Sequence, residues 1–323
     1  MSGETALNRN TEKANVLVLG PLVPDMIEPV SAFANPVSYW KHNGVAECRA
    51  ACGGDFRALV STGESVVARE FLDELPLLEV IVNYGVGYDG IDMDAVAERN
   101  IKVTNTPDVL TEDVADLALV LAIALRRRII QADRYVRDGK WESDGMMPYT
   151  DRFHGKRIGI AGLGRIGRAV ARRLEGFDAR IGYFDIARFD VPYQYFDNLG
   201  DLARDSDVLI VTMPGGSKTR GAINAEVLSS LGPEGSLVNV SRGSVVDEPA
   251  LVEALRQGRI GGAALDVFAN EPHVPAALTS MPNVILSPHT ASGTWETRNA
   301  MRDLVVQNLR NWLEARPLVT PVN

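Results

Sequence analysis

Residues 157–185 read RIGIAGLGRIGRAVARRLEGFDARIGYFD, and their order decides the fold. Arg157–Gly162 is a short apolar run. Gly162-Leu163-Gly164-Arg165-Ile166-Gly167 then spaces three glycines as G-x-G-x-x-G, and a helix-length stretch continues to about Gly176. Arg180–Asp185 is a second strand-like run that ends in an acid. Strand, glycine turn, helix and acid in that order raise the motif above a chance match. The glycines let the backbone turn tightly and approach a pyrophosphate, whose charge is met by the amides that open the helix. Asp185 follows Gly167 by eighteen residues, where a carboxylate accepts hydrogen bonds from the ribose hydroxyls of a dinucleotide.

Downstream the alternation continues through Asp207–Met213, Gly235–Ser241, Ile260–Phe268 and Val284–His289, with helical stretches between them. Six such strands with helical crossovers imply a parallel, doubly wound, Rossmann-type sheet. Upstream, Asn15–Gly20, Ala58–Ser61, Val80–Asn83 and Ile101–Thr104 are short and β-branched, with helix-length stretches between, so this part is also α/β. Asn105-Thr106-Pro107 interrupts the pattern because proline forces its predecessor to be extended. Thr111-Glu112-Asp113, an apolar run to Leu125 and Arg126-Arg127-Arg128 form a helix with an N-cap candidate and acids at one end and bases at the other. Thr294 to Ala315 reads as a last helix that returns to the first domain. The expected division is a discontinuous substrate domain, 14–106 with 291–323, a smaller flavodoxin-like α/β unit. A dinucleotide-binding domain spans 107–290, and 1–13 is expected to be a flexible tail.

The chain has 323 residues, enough for two cores at about 150 residues per domain. A net charge of −9 and a sequence pI near 5.1 argue against nucleic acid and anionic membrane surfaces as partners. The longest apolar run, Leu117–Leu125, is far too short to cross a bilayer. The opening residues have neither the basic start nor the apolar middle of a secretory signal, so a cytoplasmic protein is expected. Cys48 and Cys52 could share a helix face. With no further cysteine and no nearby histidine pair they lack the ligands of a metal site, and they read as free thiols.

In an open parallel sheet ligands sit beyond the carboxyl ends of the strands. Arg242, Asp266 and His289 fall there, each with a bland explanation taken singly: a surface ion pair, a cap, a satisfied histidine. Together beside a dinucleotide site they suggest chemistry. A nicotinamide delivers hydride, so the protein must supply a proton, an anion anchor and orientation. Imidazole is the natural proton donor at neutral pH, guanidinium matches a carboxylate with two hydrogen bonds, and a nearby acid favours imidazolium. Glu271, in Asn270-Glu271-Pro272, is the acid in the same layer of loops. Thr111, Met213 and Pro214 complete the candidate cofactor contacts.

The chain resembles the D-2-hydroxyacid dehydrogenases, in particular their glyoxylate/hydroxypyruvate and hydroxyphenylpyruvate reductase branch. The resemblance extends from about Asn15 to the end. It is carried by Asn83-Tyr84-Gly85-Val86-Gly87-Tyr88-Asp89, Asn105 to Thr111, Gly162 to Gly167, Ser241-Arg242-Gly243, Leu265-Asp266-Val267-Phe268 with Glu271-Pro272, and Ser287-Pro288-His289. It implies that Arg242 binds the substrate carboxylate and carbonyl, that His289 is the general acid/base and that Glu271 is its partner. It further implies that Asp266 faces the nicotinamide carboxamide and that the Val86 and Gly87 amides receive the substrate carboxylate. Relatives that prefer NADP carry a small polar residue and then Arg at the end of the second strand. Here Asp185-Ile186-Ala187-Arg188 puts an acid first. NAD(H) is therefore favoured, because a carboxylate repels a 2′-phosphate, and Arg188 leaves NADP(H) open.

The expected activity is reduction of 2-keto acids such as hydroxypyruvate, glyoxylate or a phenylpyruvate-like compound to D-2-hydroxy acids. A competing class is an NAD-binding, redox-sensing corepressor with weak dehydrogenase activity. Leu22, Met26 and Tyr84 suggest a partly apolar substrate pocket. A homodimer is expected through the cofactor domain. The Thr111–Arg128 helix is apolar nearly all round. A connection of about 27 residues precedes Lys156, far longer than is usual between packed elements. It carries Trp141, Met146, Met147 and Tyr149. By resemblance, this arm wraps the neighbouring subunit and brings Met146, Met147 or Tyr149 toward its substrate pocket.

Overall fold

The computed structural model describes residues 13–21 and 26–323, and it divides into two compact units. The first runs to Pro107 and resumes at Arg298–Asn323; the second is Asp108–Thr297. The second crossing thus falls within a long helix, Trp295–Leu313, a few residues beyond the 290/291 boundary read from the sequence.

Among its described residues the first unit holds five strands, β1 (Asn15–Val18), β2 (Asn35–Ser38), β3 (Ala58–Thr62), β4 (Val80–Tyr84) and β5 (Lys102–Thr104). They pair in parallel in the order β2-β1-β3-β4-β5, which is the flavodoxin-like order. The register sets Ser61 against Asn83 and Thr62 against Tyr84. Leu17, Leu59, Ile81 and Val103 carry one face of the sheet into a core with Phe56, Leu72 and Ile101. The sequence reading missed β2. Its Pro36 cannot donate to a ladder, and β2 tolerates it because it is an edge strand, paired only with β1.

The second unit holds β6 (Arg157–Ala161), β7 (Arg180–Phe184), β8 (Gln194–Phe196), β9 (Val208–Val211), β10 (Ser236–Asn239), β11 (Gly262–Leu265) and β12 (Val284–Leu286). All pair in parallel, in the order β12-β11-β10-β9-β6-β7-β8. This is the doubly wound arrangement with one strand more than expected: β8, three residues long at the sheet edge. The strand order reverses between β6 and β9, where such sheets bind their ligands, and the glycine loop follows β6.

The Thr111–Arg126 helix packs on the Arg165–Glu175 helix, and Arg172 and Arg173 of the latter pair with Glu112 and Asp116. Its cap differs from the sequence reading. Leu110 is the N-cap without a side-chain bond, and Thr111 is the first helical residue. Asp113 accepts hydrogen bonds from the Thr294 and Thr297 hydroxyls instead. The long connection after this helix is helical in its first half and irregular over residues 145–156. It forms helices Ile129–Arg137 and Lys140–Asp144.

Candidate active site

The three glycines after β6 do three different jobs. Gly162 has φ +98°, and a Cβ there would lie 2.8 Å from the Met213 backbone nitrogen, so this position requires glycine both for its backbone angle and for the close approach of β9's end. A Cβ on Gly167 would strike the Gly162 carbonyl at 2.1 Å, which explains the third glycine as a helix–strand contact. Gly164, in contrast, faces open space, with nothing within 4 Å of a built Cβ. It caps the Arg165–Glu175 helix with no side-chain bond, so the first-turn amides keep their donors for a ligand. That cradle fits the pyrophosphate of a dinucleotide.

Around it, Thr212 donates its hydroxyl to the Gly162 carbonyl at 2.6 Å, a contact the sequence did not indicate. Met213 is nearly buried against the loop, and Pro214 is exposed just beyond it. Arg165 pairs with Asp108 at 2.8 Å, which ties the start of the glycine-loop helix to the segment that leads into Thr111. Leu163 is wholly buried, Ile166 half-buried. Asp185 stands one residue past β7. Its two carboxylate oxygens accept from the Leu163 and Ile186 amides, each at 2.7 Å. Arg188 is exposed three residues on.

The second cluster lies beyond β10, β11 and β12. Asn239, wholly buried at the end of β10, accepts from the Ser241 amide and hydroxyl and donates to the Arg242 carbonyl. The turn carrying Arg242 is thereby fixed from below. Gly243 makes the next contact possible, because a Cβ there would sit 1.9 Å from the Phe268 carbonyl group. This close approach sets the Arg242 turn against the loop that holds Glu271.

Glu271 accepts from the Phe268 amide through Oε1 at 2.8 Å and meets His289 Nδ1 through Oε2 at 2.7 Å. Burial pushes its carboxyl up, yet the hydrogen bonds from His289 and Phe268, with the charges of His289 and Arg242, outweigh that and hold it below the ordinary carboxylate value. An ionised carboxylate only accepts, so His289 Nδ1 carries the proton in this pair and Nε2 is the ring atom that would meet a substrate.

His289 has the left-handed φ of +53°, uncommon for a side chain of its size. Asp266 imposes it. Its carbonyl accepts from the His289 amide at 2.8 Å, and its wholly buried carboxylate accepts from the Thr290 and Ala291 amides, each at 2.9 Å. The Asp266 carboxylate thus holds the backbone of the His289 loop.

In the first unit, Val86 and Gly87 are half-buried in the turn after β4. Tyr84 is only 4% exposed; it donates its hydroxyl to the Arg298 carbonyl at 3.3 Å, and the Arg298 guanidinium lies over its ring. Met26 is wholly buried. Both are packed side chains in this structure. Leu22 lies outside the described residues.

The pattern described as D-isomer specific 2-hydroxyacid dehydrogenase, NAD binding domain, matches residues 119–291. The chain belongs to this family. It is 44% identical to glyoxylate/hydroxypyruvate reductase A of Arabidopsis thaliana and 44% identical to hydroxyphenylpyruvate reductase of Plectranthus scutellarioides, in each case over 96% of this chain and 99% of the relative. Among solved structures, an NADPH-dependent glyoxylate/hydroxypyruvate reductase from Sinorhizobium meliloti, in complex with NADP and malonate, superposes with a TM-score of 0.89. It is 44% identical and is matched over 96% of this chain and 97% of that one. The chain is thus a nicotinamide-dependent dehydrogenase by family, and no described helix is long and apolar enough to cross a membrane.

Proposed function

We propose that this dehydrogenase reduces 2-keto acids of the hydroxypyruvate, glyoxylate or phenylpyruvate type to D-2-hydroxy acids, with NADH favoured. The observation that carries the reading is the Glu271–His289 pair at 2.7 Å beside the Arg242 turn, in the same unit as the glycine cradle. When bound, the nicotinamide supplies hydride. His289 donates a proton from Nε2 to the carbonyl oxygen, and Glu271 keeps the imidazole charged and oriented until it does. Arg242 holds the substrate carboxylate and polarises its carbonyl, and the Val86 and Gly87 amides receive the carboxylate.

The preference for NADH rests on Asp185, whose carboxylate is pinned at the end of β7 by two amides. It repels a 2′-phosphate. The Sinorhizobium relative is NADPH-dependent, so a kinetic comparison of the two reduced cofactors tests this point directly. The protein works as a homodimer in the cytoplasm. Val120, Ile129, Ile130, Val136, Trp141, Met146 and Tyr149 are all exposed between residues 120 and 149, apolar side chains that a partner subunit would cover, and the two cysteines are free thiols.

The test is turnover. A keto-acid panel with NADH and NADPH should show ordinary reductase rates, and His289→Asn should lower kcat by roughly 10²–10⁴-fold with cofactor binding intact. Cofactor binding without turnover on any 2-keto acid would sink the proposal.

A further inference from the structure

Asn83 and Asn105 have no part in the catalytic roles of Arg242, Glu271 and His289, yet each is a buried amide side chain, wholly so for Asn83 and 8% exposed for Asn105. A buried amide is costly unless every polar atom is bonded. Asn83 is saturated: its Oδ1 accepts from the Ser61 hydroxyl at 3.0 Å, and its Nδ2 donates to the Gly85 and Gly87 carbonyls, each at 3.0 Å. The Gly85 and Gly87 carbonyls, which can only accept, decide which end of the amide is the donor. Asn105 donates Nδ2 to the Val86 carbonyl at 2.9 Å, and the Thr106 amide donates to the Gly85 carbonyl at 3.0 Å. Asn105 is itself anchored, since its carbonyl accepts from the Thr320 hydroxyl at 2.6 Å.

Three consecutive carbonyls, 85, 86 and 87, are therefore all occupied by donors from β4 and from the segment after β5. A trans peptide is planar, so each carbonyl points opposite to the next residue's N–H. Holding the Gly85 and Val86 carbonyls thus turns the Val86 and Gly87 amides away from the side chains that bind them, and both residues are half-buried rather than buried. Two successive amides facing one way form an anion-receiving concavity, and donors fixed in advance need no reorganisation when the anion arrives.

We propose that Asn83 and Asn105 are positioning residues that aim the Val86 and Gly87 amides at the carboxylate of the 2-keto acid. The proposal rests on the keto-acid reductase reading. Neither asparagine touches substrate, and both act through the backbone of the turn. A purely structural role would lower stability and affect every ligand alike, whereas positioning affects the carboxylate alone.

The experiment uses the whole protein with Asn83→Ser and Asn105→Ala, and measures KM and kcat for hydroxypyruvate, the Kd of NADH, and the Kd of oxamate in the presence of NADH. Oxamate carries the same carboxylate and does not react. KM and the oxamate Kd should rise together by about 10–100-fold, the range given by weakening one or two charge-assisted hydrogen bonds. The NADH Kd should stay within about twofold and kcat should fall less than KM rises. If Asn83→Ser fails to fold, Asn105→Ala, which removes its bond to the Val86 carbonyl, carries the test. An unchanged oxamate Kd, or an equal loss of NADH binding, overturns the positioning role alone. A wild type that binds no oxamate and reduces no 2-keto acid overturns the functional reading, and this proposal with it.

Discussion

Replacing Glu271 by Gln changes one atom and removes a charge, and the geometry around His289 dictates the consequence. Glu271 serves two N–H donors at once, the Phe268 amide on Oε1 and His289 Nδ1 on Oε2. A carboxylate has acceptors on both sides; a glutamine has one acceptor and one donor. In either orientation the variant sets an NH₂ group against an N–H, unless His289 gives up its Nδ1 proton. Protonated His289 is therefore disfavoured twice, by the lost charge and by the lost acceptor. Two unit charges about 4 Å apart at an effective dielectric near 20 interact by about 4 kcal/mol. Side chains that are 26% and 21% exposed are partly screened, which brings the effect to roughly 1–2 pH units.

Keto-acid reduction needs the protonated imidazole, so activity is lost on the alkaline side as that proton leaves. In Glu271→Gln the alkaline limb of kcat/KM should move to lower pH by roughly 1–2 units. The measurement is a reductive pH–rate profile of both proteins with saturating NADH. A limb that does not move, with folding intact, would show that Glu271 does not govern the protonation of His289. The same pair sets a stability term of opposite sense. The Glu271 carboxyl is held below its ordinary value of 4.5, so its contribution is fully present above that pH and is lost as pH falls through the lowered value.

Asp185→Ser should raise the NADPH to NADH ratio of kcat/KM by about tenfold or more, since it removes like-charge repulsion; an unchanged ratio would clear Asp185 of discrimination. Gly243→Ala forces the Arg242 turn away from Phe268, where a Cβ would lie 1.9 Å from the carbonyl group. It should cost roughly 1–3 kcal/mol in denaturant unfolding and lower kcat, and a fully active, equally stable variant would refute the close packing. Light scattering should give about twice the 35.1 kDa of one chain, while a concentration-independent monomer mass would refute the dimer.

Much of the fold is legible from residue order. Glycine spacing, the strand–helix alternation and the position of Asp185 are local signals, and they locate the second unit's sheet and its ligand end. The strands that escape such a reading, β2 and β8, lack these signals. Pro36 breaks the strand pattern of β2, and β8 is three residues long at an edge. Helices Ile129–Arg137 and Lys140–Asp144 read as a loop because their side chains are exposed, charged and apolar without a buried stripe: neither has a buried residue. Met26 and Tyr84 follow or end a strand, and the burial that their packing gives them is not legible from that place alone.

The less visible signal is polarity in the wrong place. The strands expected from the sequence extend through Ser241, Phe268 and His289, but the observed strands end at Asn239, Leu265 and Leu286. The chemistry-bearing residues fall in the short loops just past those ends. A loop is free to move unless something holds it, and in each case a buried polar side chain at or next to a strand's end does so. Asn239 bonds the Ser241-Arg242 turn, Asp266 bonds the amides after His289, and Asn83 bonds the carbonyls around Val86. All three are at most 1% exposed, an expensive place for an amide or carboxylate that did nothing but fill space. Replacing any of them by an apolar residue of similar size would suit the core and leave backbone amides or carbonyls of the next loop without partners. The strands therefore act as rigid supports whose last polar residue sets the direction of the next functional group, and an isolated Asn or Asp ending an apolar strand is the sequence mark of that arrangement.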